Sequence, residues 1–291
     1  MNADPALADL TRPLVLGASG RIGSGFQRLA AAGLWPGPTP LWQVRQAGIG
    51  GHMVWDILAG DAPDIGPVRG IIALAGVVRG DLDLNTALAF AAIELARKTG
   101  NGPVLLTSSA AVYGPLSAPL TETAPCAPVS AYGQAKLAME RAVAARLRAL
   151  GPDAPPVCIL RIGNVAGADS LLEAARRGPV TLDRFGDGAG PVRSYIGMQS
   201  LAQIMVQLIG LAASGTALPP VLNIAAPGPV LMTDLLRAGA VDWVWQTAPA
   251  GALPQVVLET RRLWAMVPDD RSAADPAELI RQARLTGWAA A

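Results

Sequence analysis

The apolar run Leu14-Val15-Leu16 passes straight into Gly17-Ala18-Ser19-Gly20-Arg21-Ile22-Gly23, and the segment from Ile22 to Ala32 continues with helical periodicity. A phosphate needs that order. Gly17 allows a tight turn, Gly20 lets a pyrophosphate approach the backbone with no side chain in the way, and Gly23 lets the helix pack close to the strand. Backbone N–H groups at the helix start then face the anion. A glycine-rich turn between a strand and a helix is often only a turn. Here it follows a buried strand about a dozen residues from the start of the sequence, and that context points to a dinucleotide held by Gly17, Ser19, Gly20, Arg21, Ile22 and Gly23.

Strands and helices alternate through the first two thirds of the chain. Leu41 to Arg45 reads as a second strand and Gly70 to Gly76 as a fully buried one. Helical patterns cover Leu82 to Lys98 and Ala131 to Leu150, with strands at Val104 to Ser108 and Val157 to Arg161. This alternation predicts an α/β fold built on a doubly wound parallel sheet with right-handed crossovers. Ligands of such sheets sit beyond the carboxyl ends of the strands. From about Gly163 the chain is richer in Pro and Gly and less regular. Residues 1–163 are therefore expected to form a dinucleotide-binding domain. Residues 164–291 are expected to form mainly a smaller substrate-binding lobe, with 198–225 returning to the first domain. Trp243, Trp245 and Trp264, interspersed with Val and Leu, read as lobe core, and Asp275 to Trp288 as a capped amphipathic helix.

Composition narrows the classes. With 51% hydrophobic and 15% charged residues, the 291-residue chain can bury a large core. A formal net charge of +1 without a basic cluster leaves no electrostatic footprint for nucleic acid. Cys126, Cys158 and the single histidine, His52, are too few for a metal site or a disulfide framework. No apolar run reaches the length of a membrane span. Met1 to Leu10 carries Asp4 and Asp9 and lacks a basic start, so no signal peptide and a cytoplasmic location are expected.

The second strand bears on which dinucleotide fits. An Asp or Glu at its end would accept from the adenosine ribose hydroxyls of NAD, but Val44, Arg45 and Gln46 stand there. Arg45, with Arg21 as a second cation, suits the 2′-phosphate of NADP; a solvated surface arginine is the other reading, and NAD stays open. Asp56, followed by Ile57, either accepts from the adenine amine or merely caps a turn.

Thr107-Ser108-Ser109 ends a buried strand, which brings a hydroxyl to the ligand edge of the sheet. Tyr132 and Lys136 are four residues apart and so share a helix face. An ammonium in that position can lower the pKa of the phenol and hold a cofactor ribose. The phenol can then give or take a proton at a substrate oxygen that Ser109 also bonds. A Tyr-x-x-x-Lys pair alone occurs in many helices. Joined to the glycine turn and the serine-ended strand, it reads as catalytic machinery.

Gly17 to Gly23, Ser108-Ser109-Ala110-Ala111-Val112-Tyr113-Gly114, Tyr132 to Lys136 and Leu160 to Val165 together resemble the extended short-chain dehydrogenase/reductases, in their NAD(P)-dependent epimerase/dehydratase branch. The likeness runs to about Ala226. It implies a Rossmann fold, a bound nicotinamide cofactor, and a catalytic set of Ser109, Tyr132 and Lys136. Asn85 matches the family's asparagine, and Ala75 and Gly76 stand where two alanines usually lie near the cofactor. The resemblance also maps Asn164 and Arg193 to contacts with a substrate diphosphate, and the helices at Leu82 to Lys98 and Ala131 to Leu150 to a homodimer interface. Dehydratases of the branch carry an acid pair at the positions of Ala110 and Ala111. Methyl groups cannot do acid–base work, so an epimerase or a simple reductase is expected and a dehydratase is not.

Two departures weaken the nucleotide-sugar mapping. Ser194 and Gly197 replace the family's usual Asp and His, and the interval from Asn164 to Arg193 is short for an element that holds a nucleotide base. The substrate is therefore a sugar nucleotide or something smaller, and Arg193 could be structural. A protein that binds NADP without turnover, as regulator or scaffold, is the competing class, and the intact Ser109, Tyr132 and Lys136 count against it.

Overall fold

The computed structural model describes residues 12–46, 52–115, 120–267 and 274–291. The N-terminal stretch expected to lack a signal peptide lies outside them. The main sheet has seven strands: β1 (Leu14–Leu16), β2 (Leu41–Val44), β3 (Met53–Val54), β4 (Ile71–Ala73), β5 (Val104–Ser109), β6 (Val157–Ile162) and β11 (Val221–Ile224). They lie in the order β11-β6-β5-β4-β1-β2-β3, and every pairing is parallel. The order reverses direction at β1, so the crevice between β1 and β4 is the switch point at which such sheets bind ligands.

Strand alternation sorts the core into two layers. Val15, Ile72, Leu105, Leu160 and Leu222 face one side, where α1 (Arg21–Ala31) and α5 (Met198–Ala213) pack with Phe26, Leu29, Leu201 and Met205. Leu14, Leu16, Ile71, Val104, Leu106 and Ile159 face the other, against α2 (Leu84–Lys98) and α3 (Ala131–Leu150). Each of these fully buried aliphatic side chains contributes about 1.5–3 kcal/mol relative to exposure. Helix α3 starts where the Ser130 hydroxyl accepts from the Gly133 N–H, 3.0 Å away, and it runs for 20 residues.

The remaining elements are short. They comprise β7 (Asn164–Val165), α4 (Ser170–Ala175), β8 (Val180–Arg184), β9 (Val192–Arg193), β10 (Tyr195–Ile196), β12 (Val230–Leu231), α6 (Met232–Gly239), β13 (Trp243–Thr247), β14 (Gln255–Val256), α7 (Arg261–Met266) and α8 (Pro276–Leu285). Leu172, Leu182, Tyr195, Leu235, Leu236, Ile280 and Trp288 form a second core among them. At the C-terminal helix, the Asp275 carboxylate accepts from the N–H groups of Ala277 and Glu278. Trp243 packs on this lobe core as expected, and the other two tryptophans depart from expectation. Trp245 is 40% exposed, with Arg184 over its ring, while Trp264 packs on the main-sheet core instead of the lobe.

Candidate functional site

The glycine turn sits at the carboxyl end of β1. Gly17 has φ +79, a conformation that disfavours a Cβ, and a Cβ built there would stand 2.6 Å from the Ala75 N–H nitrogen. Gly20 caps α1 without a side-chain bond, so the first-turn amides have no side-chain acceptor at the cap, as an anion site requires. Gly20, Ser19 and Arg21 are exposed at the sheet edge, whereas Gly23 is buried and Ile22 half-buried.

The turn is held by a residue that sequence reading passed over. The Gln43 side-chain oxygen accepts from the Gly17 N–H at 2.8 Å, its backbone carbonyl accepts from Ala18 at 2.9 Å, and its Nε2 donates to the Trp55 carbonyl at 2.5 Å. A buried amide in the otherwise apolar strand Leu41-Trp42-Gln43-Val44 was the available signal, because such a group must find partners.

At the end of β2, the strand next to β1, Arg45 is exposed. Asp56 caps a turn, its Oδ1 accepting from the Leu58 N–H at 3.1 Å, and its side chain is exposed. Ile57 is buried in the core with Trp55. Ala75 packs on Gly17, and Gly76 lies close to the Lys136 ammonium and the Asn85 amide oxygen. Asn85 is fixed by three bonds, accepting from the Val77 N–H and donating to the carbonyls of Val77 and Leu82. It therefore shapes the loop after β4.

Ser109, Tyr132 and Lys136 converge beside this crevice. Ser109 ends β5 and accepts from the Ala111 N–H at 3.2 Å. Gly133 sits against the Ala111 carbonyl, where a Cβ would come within 2.4 Å, and this close approach draws the start of α3 onto the turn after Ser109. Lys136 is 3% exposed, donates to the Thr107 carbonyl at 3.0 Å and lies 6.0 Å from the Tyr132 ring centre.

The electrostatics correct one expectation. Burial pushes the Tyr132 phenol above its ordinary value, against the smaller opposing pull of the Ser109 hydroxyl and the Arg21 charge, and Lys136 is not among the groups that lower it. Burial pushes the Lys136 amine down to about 8, opposed by the Glu140 carboxylate.

A cavity of about 250 Å³ opens beyond Ser109, lined by Ala110, Ala111, Asn164, Arg193 and Leu253 among others. Asn164 on β7 is the strand partner of Tyr195 on β10, whose phenol donates to the Asp169 carboxylate at 3.1 Å. Arg193 is engaged by backbone: its Nη1 donates to the carbonyls of Val192 at 2.8 Å and Pro254 at 3.2 Å, and its Nη2 to that of Leu253 at 2.9 Å. The arginine thus carries a structural role, and its remaining N–H groups are the ones left for a ligand. Among the described residues no cluster of three or more His, Cys, Asp or Glu has metal-site geometry, and no helix is long and apolar enough to cross a membrane.

Residues 79–210 match the model of the NAD dependent epimerase/dehydratase family. The chain is 39% identical over 97 residues to a UDP-glucose 4-epimerase of Azospirillum brasilense, an alignment that covers 33% of this chain and 27% of that protein. Among solved structures, the UDP-glucose 4-epimerase of Brucella ovis, in complex with NAD, is 20% identical with a TM-score of 0.75. That superposition covers 97% of this chain and 100% of the other. The dTDP-glucose 4,6-dehydratase of Streptomyces venezuelae, with NAD bound, is 20% identical with a TM-score of 0.71, covering 94% of this chain and 96% of the other. At these identities the likeness to solved structures is one of fold.

Proposed function

Given the match to the NAD dependent epimerase/dehydratase family over 79–210 and the shared fold, we propose that this chain is an NAD(P)-dependent epimerase or reductase. It would act at a carbinol or ketone of a sugar nucleotide or a smaller substrate. The observation that carries the proposal is the convergence of Ser109, Tyr132 and Lys136 at the carboxyl edge of β5, one crevice away from the glycine turn. When bound, a nicotinamide dinucleotide supplies the hydride acceptor or donor. The residues present fit such a group: an exposed Gly20 with no Cβ, a helix start without a side-chain cap, and a lysine at Gly76.

The protein's part is proton handling and orientation. Tyr132 gives or takes the proton at the substrate oxygen, and Ser109 bonds the same oxygen and fixes its place. Lys136 offers positive charge beside the phenol, and its remaining N–H groups suit a ribose. Elimination is disfavoured, because Ala110 and Ala111 bring only methyl groups to the cavity wall. Arg45 supports NADP over NAD, since a guanidinium matches a 2′-phosphate and no carboxylate stands at that strand end. Asn164 and Arg193 border the cavity of about 250 Å³, and Arg193 retains the Nε and part of the Nη2 donor capacity for an anion. A homodimer through α2 and α3 follows from the family resemblance.

The test is mass spectrometry of any ligand that copurifies, followed by nicotinamide absorbance against a panel of sugar nucleotides and small ketones. Product without net absorbance change identifies an epimerase, and a net change identifies a reductase. No turnover of any of them by a protein with bound dinucleotide would oppose the proposal.

A further inference from the structure

Tyr132, Lys136 and Glu140 follow one another at four-residue intervals on α3, so one stripe of the helix carries a phenol, an ammonium and a carboxylate. The first two belong to the site described above; the third lies behind them and is 5% exposed. Every strong acceptor position of Glu140 is taken. Arg161 on β6 donates from Nη2 to Oε2 at 2.7 Å and from Nε to Oε1 and Oε2 at 3.1 and 3.2 Å. Ser108 on β5, the neighbour of Ser109, donates to Oε1 at 2.5 Å.

Arg161 is itself clamped. It donates to the Glu122 carbonyl at 3.2 Å and lies 4.8 Å from the centre of the Tyr113 ring. Lys136 does not enter this bonding; its ammonium donates to the Thr107 carbonyl. The carboxylate therefore reaches the ammonium through its field, in a part of the protein where Lys136, Glu140, Arg161 and Ser108 are each 6% exposed or less.

We propose that Glu140, locked by Arg161 and Ser108, is a positioning residue that keeps Lys136 charged and fixes the turn of α3 that presents it to the cleft. A buried carboxylate held by an arginine alone would serve the fold. Its place one turn from a lysine pushed by burial toward its neutral form gives it a second task, since it is the group that opposes that push. The charged or titratable groups around the lysine are Tyr132 and Glu140 on its own helix, and Arg161 on β6 stands behind Glu140 as that carboxylate's partner. Gly76 in the loop after β4, the Asn85 amide on α2 and the Thr107 carbonyl on β5 are its uncharged neighbours.

The proposal rests on Tyr132 and Lys136 as the reacting pair, but its test does not need turnover. Lys98 and Lys136 are the two lysines of the sequence, so a protein labelled with [13C]lysine gives two side-chain signals, and Lys98→Arg assigns them. The titration of Lys136 is followed in the wild type, Glu140→Gln and Arg161→Gln. Removing the carboxylate takes away the charge that opposes burial and leaves the guanidinium uncompensated, so in Glu140→Gln the midpoint falls by about one unit or more. Removing the guanidinium leaves the carboxylate unopposed, so in Arg161→Gln the midpoint rises.

Opposite shifts from two variants that break the same ion pair separate an electrostatic role from a structural one, which would move both alike. Glu140→Asp, keeping the charge, restores the wild-type midpoint at least in part. If a charge-neutralising variant does not fold, Ser108→Ala keeps both ions and removes the hydroxyl that orients the carboxylate, and a displaced midpoint is still expected. An unchanged Lys136 midpoint in every folded variant, or shifts of the same sign in Glu140→Gln and Arg161→Gln, overturns the proposal. Loss of turnover in Tyr132→Phe with these shifts absent would oppose this inference alone; the shifts without any turnover would oppose the proposed activity alone.

Discussion

Gly20 and Gly23 stand three residues apart with very different space around them, so alanine substitution separates the proposed cofactor role of the first from the packing role of the second. A Cβ on Gly23 would lie 2.5 Å from the Gly17 carbonyl oxygen, 2.6 Å from the Ala18 Cα and 2.7 Å from the Ala18 carbonyl oxygen. All three are backbone atoms, so α1 must move off the sheet. Overpacking of this kind costs about 1–3 kcal/mol, and the better helix propensity of alanine returns about 1 kcal/mol at most. At about 2 °C per kcal/mol for a chain of this size, Gly23→Ala lowers the midpoint of thermal unfolding by up to about 6 °C without any ligand.

Gly20 differs. The nearest atom to a Cβ there is the Gly17 carbonyl oxygen at 3.2 Å, so the ligand-free fold accommodates Gly20→Ala with a midpoint within about 2 °C of wild type. The new methyl instead occupies the approach of the pyrophosphate. A tenfold to hundredfold loss of dinucleotide affinity, about 1.4–2.8 kcal/mol, is the expected result. Circular-dichroism melts and calorimetric titration with NAD and NADP measure both quantities on the same samples. A Gly20→Ala variant that binds dinucleotide as the wild type does, or that melts as early as Gly23→Ala, would refute the division of labour.

Three further outcomes follow from the same geometry. Arg45→Ala weakens NADP at least about tenfold and leaves NAD within about twofold, as paired titrations would show; equal effects on both would make Arg45 a surface residue. Asp169 is raised to about 6 chiefly by burial, so the folded state holds its proton more tightly than the unfolded chain. Stability therefore falls as pH rises from about 4 to about 6, and Asp169→Asn should gain about 1–3 kcal/mol at pH 7 and flatten that dependence in melts at the two ends of the window. Because the Lys136 amine sits at about 8, turnover that needs its ammonium declines as pH rises past that value; a rate that stays flat to pH 9 or above would separate the lysine from the chemistry.

Much of the fold was readable where local and global signals agree. Helix α3 begins and ends at the expected residues, Ala131 and Leu150, because Ser130 supplies a cap and the strands on either side are continuous apolar runs. The glycine turn was equally plain. The short strands β7 to β10 and β12 to β14, of two to five residues, left no periodic trace among their prolines and glycines, and their side chains divide between the lobe core and the main-sheet core.

At the site, residue types were legible and partners were not. Arg193 meets the carbonyls of Leu253 and Pro254 some 60 residues away, and Gln43 meets Gly17 across two strands; no spacing rule reports such contacts. The expected fall in the Tyr132 pKa failed for a related reason. The i,i+4 spacing reports that an ammonium is near, while the burial that raises the phenol against the Ser109 hydroxyl and the Arg21 charge is a property of the whole packed cleft.

Turnover and dinucleotide affinity of Tyr132→Phe, measured side by side with whichever substrate the panel identifies, probe the proposed chemistry with the fewest intermediaries. Loss of the phenolic hydroxyl should cut turnover at least about a hundredfold while affinity for the dinucleotide stays within about twofold. Turnover equal to wild type would mean that the proton at the substrate oxygen travels by another group and that the cleft between β1, β5 and α3 works differently from the way proposed.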